Sequence, residues 1–596
     1  MSIDEKEKKE GTGLNFEDLD IFTNPGYMQP GTVLTDESSY PASTSELIGS
    51  YDVDDSGNLW ALVSTKLIRV SNGNNANPGD FASYATSLTT RSSCTWQWGA
   101  WHGLGNPIST AYFYYAGGTN TLYRVGDLVA SGTTESSVGT LDGMDANTIQ
   151  VPFKRVDGEL YIGHGQYIAA VDDAGTFTQH AFTLPNNWHC VGFAPIGDQL
   201  AILAKFKSEL STRTFSECRV FMWDKTATTG ADDTFIIPTG GACAIANHNE
   251  VLRVFTATAG RMRIWEVSTY PVVTHELDIF DPTTNSFSES TNTGDFMISP
   301  TSLFVRNGIL YFGVCGPENT NRSGLYALGK AGAGKPLALV LAKRFTVDRS
   351  PSASSALGHT PAGAFGFGTN IYCSYMRRYS TSVDGGAVAV ALRCEEANSP
   401  TRSSYAIYES VLVDGNNQET LKDWEGFLLG VRNMPSSTSI RVDARVDNNS
   451  SHTQSVTSIT RSSNTATVTT PSAHNVLEGD LITISGAGES QYNGIFTVKS
   501  APTTTTFTYE LFSGTPTSPA TGTILLTHSY NPNSLYVLSS SNDQQATGTT
   551  ADRFFDRRWT GVAGRQIQTR IRFTSSGTSC AQLYYAGLLS RDRQVR

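Results

Sequence analysis

Helical periodicity is nearly absent from this 596-residue chain. Apolar residues never recur at three- and four-residue spacing over a helix length, and GFLLGV is short and bounded by glycine. No apolar run reaches the roughly 18 residues that a membrane-spanning helix needs, so no membrane span is expected. The first residues, MSIDEKEKKEG, lack the apolar core of a secretory signal, and the expectation is synthesis in a cytoplasm. Charge is sparse, with 16% charged against 39% hydrophobic residues. The net charge of −12 argues against a nucleic-acid binder held by phosphate contacts; DNA at most passes by. Cysteine is also scarce. The eight thiols, at 94, 190, 218, 243, 315, 373, 394 and 580, form no C-x-x-C pair. They sit in strand-like runs such as LYFGVCG and read as buried and reduced, against a disulfide or zinc framework.

Serine, threonine, glycine and asparagine are abundant, and 24 Tyr and 28 Phe are spread along the chain. Short apolar runs broken by Gly, Asn and Asp turns predict an all-β protein. The length implies about two to four domains. Residues 1–45, including NPGYMQPGT, have Pro and Gly where an element would need neither and are expected to form an extended arm. From 46 to 412 a polar turn followed by an apolar strand recurs, near Gly57, Gly118, Gly158, Gly197, Asn249, Gly308 and Gly368. Hairpins at such intervals are the signature of a β-propeller of about seven blades. Residues 413–455 and 528–596 read as a β-sandwich. Residues 456–527 read as a small β-module inserted at the tip of one of its hairpins, where chain ends lie close. Within the closing stretch, Ile567, Thr569, Ile571 and Phe573 alternate with polar residues, the pattern of a half-buried strand.

Few residues invite chemistry. Asp52, Asp54 and Ser56 match the start of a calcium loop, but its twelfth position is Val63 where a Glu is needed. Asp and Asn also cap tight turns, so a turn is expected and calcium is the alternative. Trp96, Trp98 and Trp101 lie within six residues; Trp96 and Trp98 would share a strand face, to stack on a sugar or to fill a blade interface. Arg557, Arg558 and Trp559 are the residue types of subunit contacts. Adjacent acids such as Asp54–Asp55 and Glu395–Glu396 point to opposite faces or to water, not across a glycosidic bond. No S-x-D-x-G-x-T-W box, G-x-S-x-G elbow or H-x-x-x-H spacing occurs. No catalytic residue, cofactor or firm metal ligand is therefore expected. Residues 1–60 carry 13 acidic and 3 basic side chains, and residues 551–596 carry 9 Arg and 3 Asp. An acidic head and basic tail could join neighbouring subunits, or stay solvated surface.

The stretch AHNVLEGDLITISGAGESQYNGIFTVKSAPTTTTFTY, residues 473–509, resembles a small β-barrel module of bacteriophage tail and other virion proteins. Asn475 stands where that module usually has Gly. NPGYMQPGT resembles the Pro-Gly arm at the start of tail proteins from short-tailed phages, and a propeller followed by a sandwich is similar to phage nozzle and tail-tip proteins. The resemblance implies a virion protein, a structural tail component (nozzle, tail tip or hub) acting in several copies. Its implied partners are itself, other tail proteins, and a host-surface receptor or glycan. The alternatives are a receptor- or carbohydrate-binding tail fibre and a polysaccharide-degrading propeller enzyme.

Overall fold

A computed structural model describes residues 13–23, 27–32, 34–36, 48–63, 65–70, 81–85, 87–90, 98–105, 107–126, 134–144, 150–206, 217–239, 241–258, 261–281, 286–288, 297–315, 323–332, 335–345, 360–368, 370–377, 388–395, 401–410, 413, 421–432, 434–446, 452–511, 515–528, 536–539, 552–559 and 562–592. The protein is all-β: an N-terminal arm, a β-propeller, and a C-terminal β-sandwich bearing a small β-barrel module.

Seven antiparallel sheets follow one another over residues 48–85, 99–140, 153–183, 188–237, 242–288, 297–344 and 360–395. The first strand of each packs against the first strand of the next, and Thr360–Phe367 of the seventh blade returns to Ile48–Val53 of the first. Such a ring is a closed propeller. Middle strands are covered on both faces, so QLAILAKF is buried at successive positions instead of alternate ones. The cost of that burial is met between blades. One apolar cluster fills each interface, from Trp60, Leu62, Phe113 and Tyr115 between the first two blades to Ile48, Tyr51 and Tyr372 where the ring closes. Six of the seven turns read from the sequence join first to second strands. Two are Asp157–Gly158 and Asn307–Gly308, with φ of 53° and 84°, and 52° and 74°. Left-handed conformation at both central positions is the hairpin turn that matches strand twist, which is why Asp-Gly and Asn-Gly occur there. Gly118 instead joins the second and third strands of its blade, because the first is Gly99–Leu104, in the tryptophan-rich segment.

The N-terminal segment is not a free arm. Thr35–Asp36 pairs with Leu392 and Arg393 as the outer strand of the seventh blade, so a distant piece of chain closes the ring. Gly13–Glu17 pairs with Tyr405–Ser410 and reaches Leu341 of the sixth blade, joining propeller and sandwich into one ten-stranded sheet. Tyr405–Ser410, read from sequence as the end of the propeller, pairs with Ile567–Thr574 of the sandwich.

The sandwich sets Tyr405–Ser410, Ile567–Thr574, Ser439–Val446 and Tyr536–Ser539 against a second sheet of Asp552–Arg558, Lys422–Arg432, Ala563–Gly564 and Gln582–Asp592. Trp424, Phe427, Leu429, Ile440, Val442, Ile571 and Phe573 fill the space between. The inserted module is one seven-stranded sheet from His452 to His528, wrapped around Ile459, Val468, Ile484, Phe496, Phe507 and Tyr509.

Two propeller histidines are held neutral by the fold. Burial lowers His164 and His275 from 6.5 to about 4, against the opposing pull of backbone carbonyls. The unfolded chain takes up these protons near pH 6.5 and the folded chain does not. Stability is therefore full above that pH and falls as pH drops toward 4, by about 1.4 kcal/mol per pH unit for each histidine within the window. Thermal unfolding followed by circular dichroism is expected to give a lower Tm at pH 4.5 than at pH 7, and replacing either histidine by Gln should flatten that dependence.

Candidate functional site

Five buried charged side chains gather where the inserted module meets the sandwich. Strands Ser439–Val446 and Ile567–Thr574 turn one face to the sandwich core. Their other face carries Arg441, Asp443, Arg570 and Arg572, all buried under the module. The module contributes Asp480, from the EGD turn, and the carbonyl of Asn475. Arg441 Nε donates to Asp443 Oδ1 at 2.9 Å and its Nη2 donates to the Asn475 carbonyl at 2.7 Å. Arg570 forks between the two acids, with Nη2 on Asp443 Oδ2 at 2.9 Å and Nη1 on Asp480 Oδ1 at 3.1 Å. Arg572 Nη1 reaches the same Asp480 oxygen at 3.3 Å, with its guanidinium 4.2 Å from the Tyr405 ring centre. The Leu477 amide donates to Asp480 Oδ2 at 2.8 Å. Burial alone would raise the Asp480 carboxyl, but Arg570, Arg572 and Arg441 overcome it and hold the group below its ordinary value. The arrangement is a mount, with directional bonds that fix one orientation of module on sheet.

The module's motif residues serve this mount and its own closure. Asn475 has φ 56°, a left-handed conformation that Gly or Asn adopts most readily. Gly479 has φ 83° and lies against Tyr405, whose hydroxyl a Cβ there would strike. In the YNG turn, Asn493 Oδ1 accepts from the Ala487 amide at 2.9 Å and its Nδ2 donates to the Ala487 carbonyl at 2.8 Å. That pairing ties YNG to the GA of the preceding strand.

The outward face of the other sandwich sheet is an aromatic and arginine surface. Phe554 and Tyr585 flank Gly430 on the central strand and are 65% and 45% exposed. Toward the other end, Glu425 accepts from Arg558 at 3.0 Å and is ion-paired with Arg591 at 3.4 Å. Arg558 and Arg557, expected from the sequence at a subunit contact, therefore lie on this sheet. Trp559, their neighbour, does not: it is buried in the sandwich core against Phe427. The chain leaves the strand at that point and the indole turns inward.

The other sequence candidates do not converge. Asp52 accepts from the Trp101 amide of the second blade at 2.7 Å and from Val53 at 2.9 Å. Burial pushes its carboxyl up. Asp54 is occupied by the Asn58 amide, the Asn58 side chain and the Trp60 indole, each at 2.8 Å. These carboxylates thus serve a blade contact and a turn, with Ser56 exposed at the turn tip. Among the described residues no three His, Cys, Asp or Glu side chains gather as a metal site. Trp98 packs between the second and third blades, and Trp96 lies outside the described residues. Five cysteines among the described residues carry free thiols. The acidic head meets the chain's own C-terminal half: Asp20 pairs with Arg402, and Met28 exchanges backbone bonds with Leu583. Nothing local along the chain marks Arg441, Asp443, Asp480, Arg570 and Arg572 as one group, because they come from three separate strands or turns.

No family model and no curated protein matches the chain. Solved structures do. A chain of the mitotic checkpoint complex aligns at TM-score 0.33 and 13% identity, over 60% of this chain and 93% of that one. The computationally designed Ika8 protein aligns at 0.30 and 9%, over 64% and 96%. An exo-β-1,3-galactanase from Phanerochaete chrysosporium aligns at 0.25 and 10%, over 74% and 96%. At such scores these likenesses carry no functional argument.

Removing the Asp480 carboxylate leaves Arg570 and Arg572 buried beside one remaining acid. Asp480→Ala is expected to cost about 3–5 kcal/mol at the mount. Hydrogen exchange should then show faster opening of Leu477–Asp480 and Ile567–Thr574, with the propeller strands unchanged.

Proposed function

We propose that this chain is a structural component of a bacteriophage tail, serving as nozzle, tail tip or hub in several copies. The observation that supports it is the inserted module: a phage-type sequence pattern, carried as a seven-stranded sheet around its own core on a hairpin of the sandwich and fastened by a buried charge network. A rigidly mounted accessory module on an interlocked body suits an assembly part. It gives a fixed geometry to whatever the module touches, a neighbouring tail protein or the host surface. The propeller and sandwich share one sheet through the N-terminal strand, so load applied to one passes to the other without a flexible linker. The acidic chain as a whole suits a passage that does not retain DNA phosphates.

Immunogold electron microscopy with antibody to this protein, on particles from a lysate of the source culture, tests the proposal. Gold at one end of the tail supports it, and its position separates tail tip from lateral fibre. Unlabelled particles with free antigen would reject it.

Assembly in several copies needs a surface, and the aromatic and arginine face of the sandwich has the composition of interface hot spots. Phe554→Ser is expected to leave the fold intact, because the ring is largely exposed. It should lower the oligomeric mass seen by light scattering of the purified protein. An unchanged mass would place the contact elsewhere.

A further inference from the structure

Two histidines stand at the base of the inserted module. His452 opens the strand that enters it and His528 closes the strand that leaves it, and the two are direct cross-strand partners. His528 is also opposite Ile482 on its other side, so it shares the module's core face with Ile482 and Leu526. The two imidazole ring centres are 5.1 Å apart and their planes are inclined by 54°. An ion held tetrahedrally at about 2.0–2.1 Å by one nitrogen from each of two imidazoles sets the ring centres roughly 5 Å apart. Nε2 of His528 is buried and has no hydrogen-bond partner among the described residues. A buried nitrogen of that kind calls for a partner.

We propose that His452 and His528 chelate one divalent transition-metal ion of the zinc, nickel or copper class, clamping the two stems through which the chain enters and leaves the module. The groups that act on His528 are His452, Asp480, Arg570 and Arg441. The oxygens of Asp480 are engaged by Arg570 and Arg572, so this acid offsets nearby positive charge without being a ligand. Among the described residues no third His, Cys, Asp or Glu completes the set, so solvent supplies the remaining positions from the half-exposed side of His452. Imidazole nitrogen selects zinc, copper or nickel over magnesium and calcium. An ion that binds the folded module and not the unfolded chain raises its stability by mass action.

The test uses the full-length protein without a histidine tag, stripped with a chelator and titrated with Zn²⁺ or Ni²⁺ by calorimetry and thermal unfolding. A saturable one-ion step is expected, with a rise in Tm that chelator reverses and that Mg²⁺ or Ca²⁺ does not produce. His452→Ala should lose both, whereas His180→Ala, at a histidine on the propeller, should keep both. His528 lies in the core and its replacement endangers folding, so the half-exposed His452 carries the test. Absence of the step in the native protein, its persistence in His452→Ala, or its loss in His180→Ala would each overturn the proposal.

Discussion

Closure of the propeller ring is the constraint on which the rest of this structure depends. A single blade of this chain is apolar on both faces of its middle strands and cannot stay folded alone. Each blade borrows the cover it needs from two neighbours, and that works only if the last blade meets the first. The chain closes the ring with Thr35–Asp36, a short strand delivered from the N-terminus to Leu392 and Arg393. Polar bonds repeat the apolar pattern. The Asp52 carboxylate accepts the Trp101 amide of the second blade, His102 contacts the Asp172 carbonyl of the third, and Lys225 of the fourth pairs with Asp157. Asn247 bonds Pro195 of the fourth blade, His248 contacts Gly308 of the sixth, Arg306 bonds Gly368 and Asn370 of the seventh, and Ser374 accepts from Ile48 of the first. Apolar stacking supplies most of the stabilisation, being non-directional and large. The polar bonds set the register between blades, since a displaced donor would be left buried and unpaired.

The same N-terminal segment explains why the sandwich is not a tethered appendage. On its way to the seventh blade it lays Gly13–Glu17 between the sixth blade and the sandwich, extending one sheet through both. Asp18, inside this crossing, accepts from the Ser403 hydroxyl at 2.9 Å, and the carbonyl of the same residue accepts the Gly31 amide at 2.6 Å. The acidic residues of the head are thus spent partly on holding the arm to its own chain. At the module the choice of interaction is reversed. Burying five charged side chains is costly relative to an apolar contact of the same shape. What the charges provide is direction, because only one placement of Asp480 satisfies Arg570, Arg572 and the Leu477 amide together.

Much of the architecture is legible along the chain because its determinants are local. Turn residues such as Asp157–Gly158 and Asn307–Gly308, and the apolar runs behind them, announce β-hairpins without reference to anything distant. The module is legible for the same reason: Gly479 and Gly494 sit at positive φ, which few other residues adopt, and the Asn493 side chain bonds both backbone groups of Ala487. Strand identity becomes ambiguous where apolar residues mix with tryptophans, and the first strand of the second blade, GAWHGL, is hidden in a segment that reads as a binding motif. The alternation of Ile567, Ile571 and Phe573 correctly marks the sandwich core. It says nothing of what covers Gln568, Arg570 and Arg572, which a solvated strand would leave in water and which are buried here.

The sequence by itself determined that this protein is built of β-hairpins, that they repeat, and that a separate module interrupts the last domain. Those properties follow from backbone preferences at turns and from periodicity along single strands, which are fixed within a few residues. Only the tertiary structure decided that the N-terminal arm closes the ring, that Trp559 belongs to the core while Arg558 does not, and that Asp480 anchors the module. Each of these depends on which segments, hundreds of residues apart or brought in on different strands, come to share one interface. Burial and pairing there are collective: the environment of a side chain is set by its partners, and no short stretch of the chain contains them.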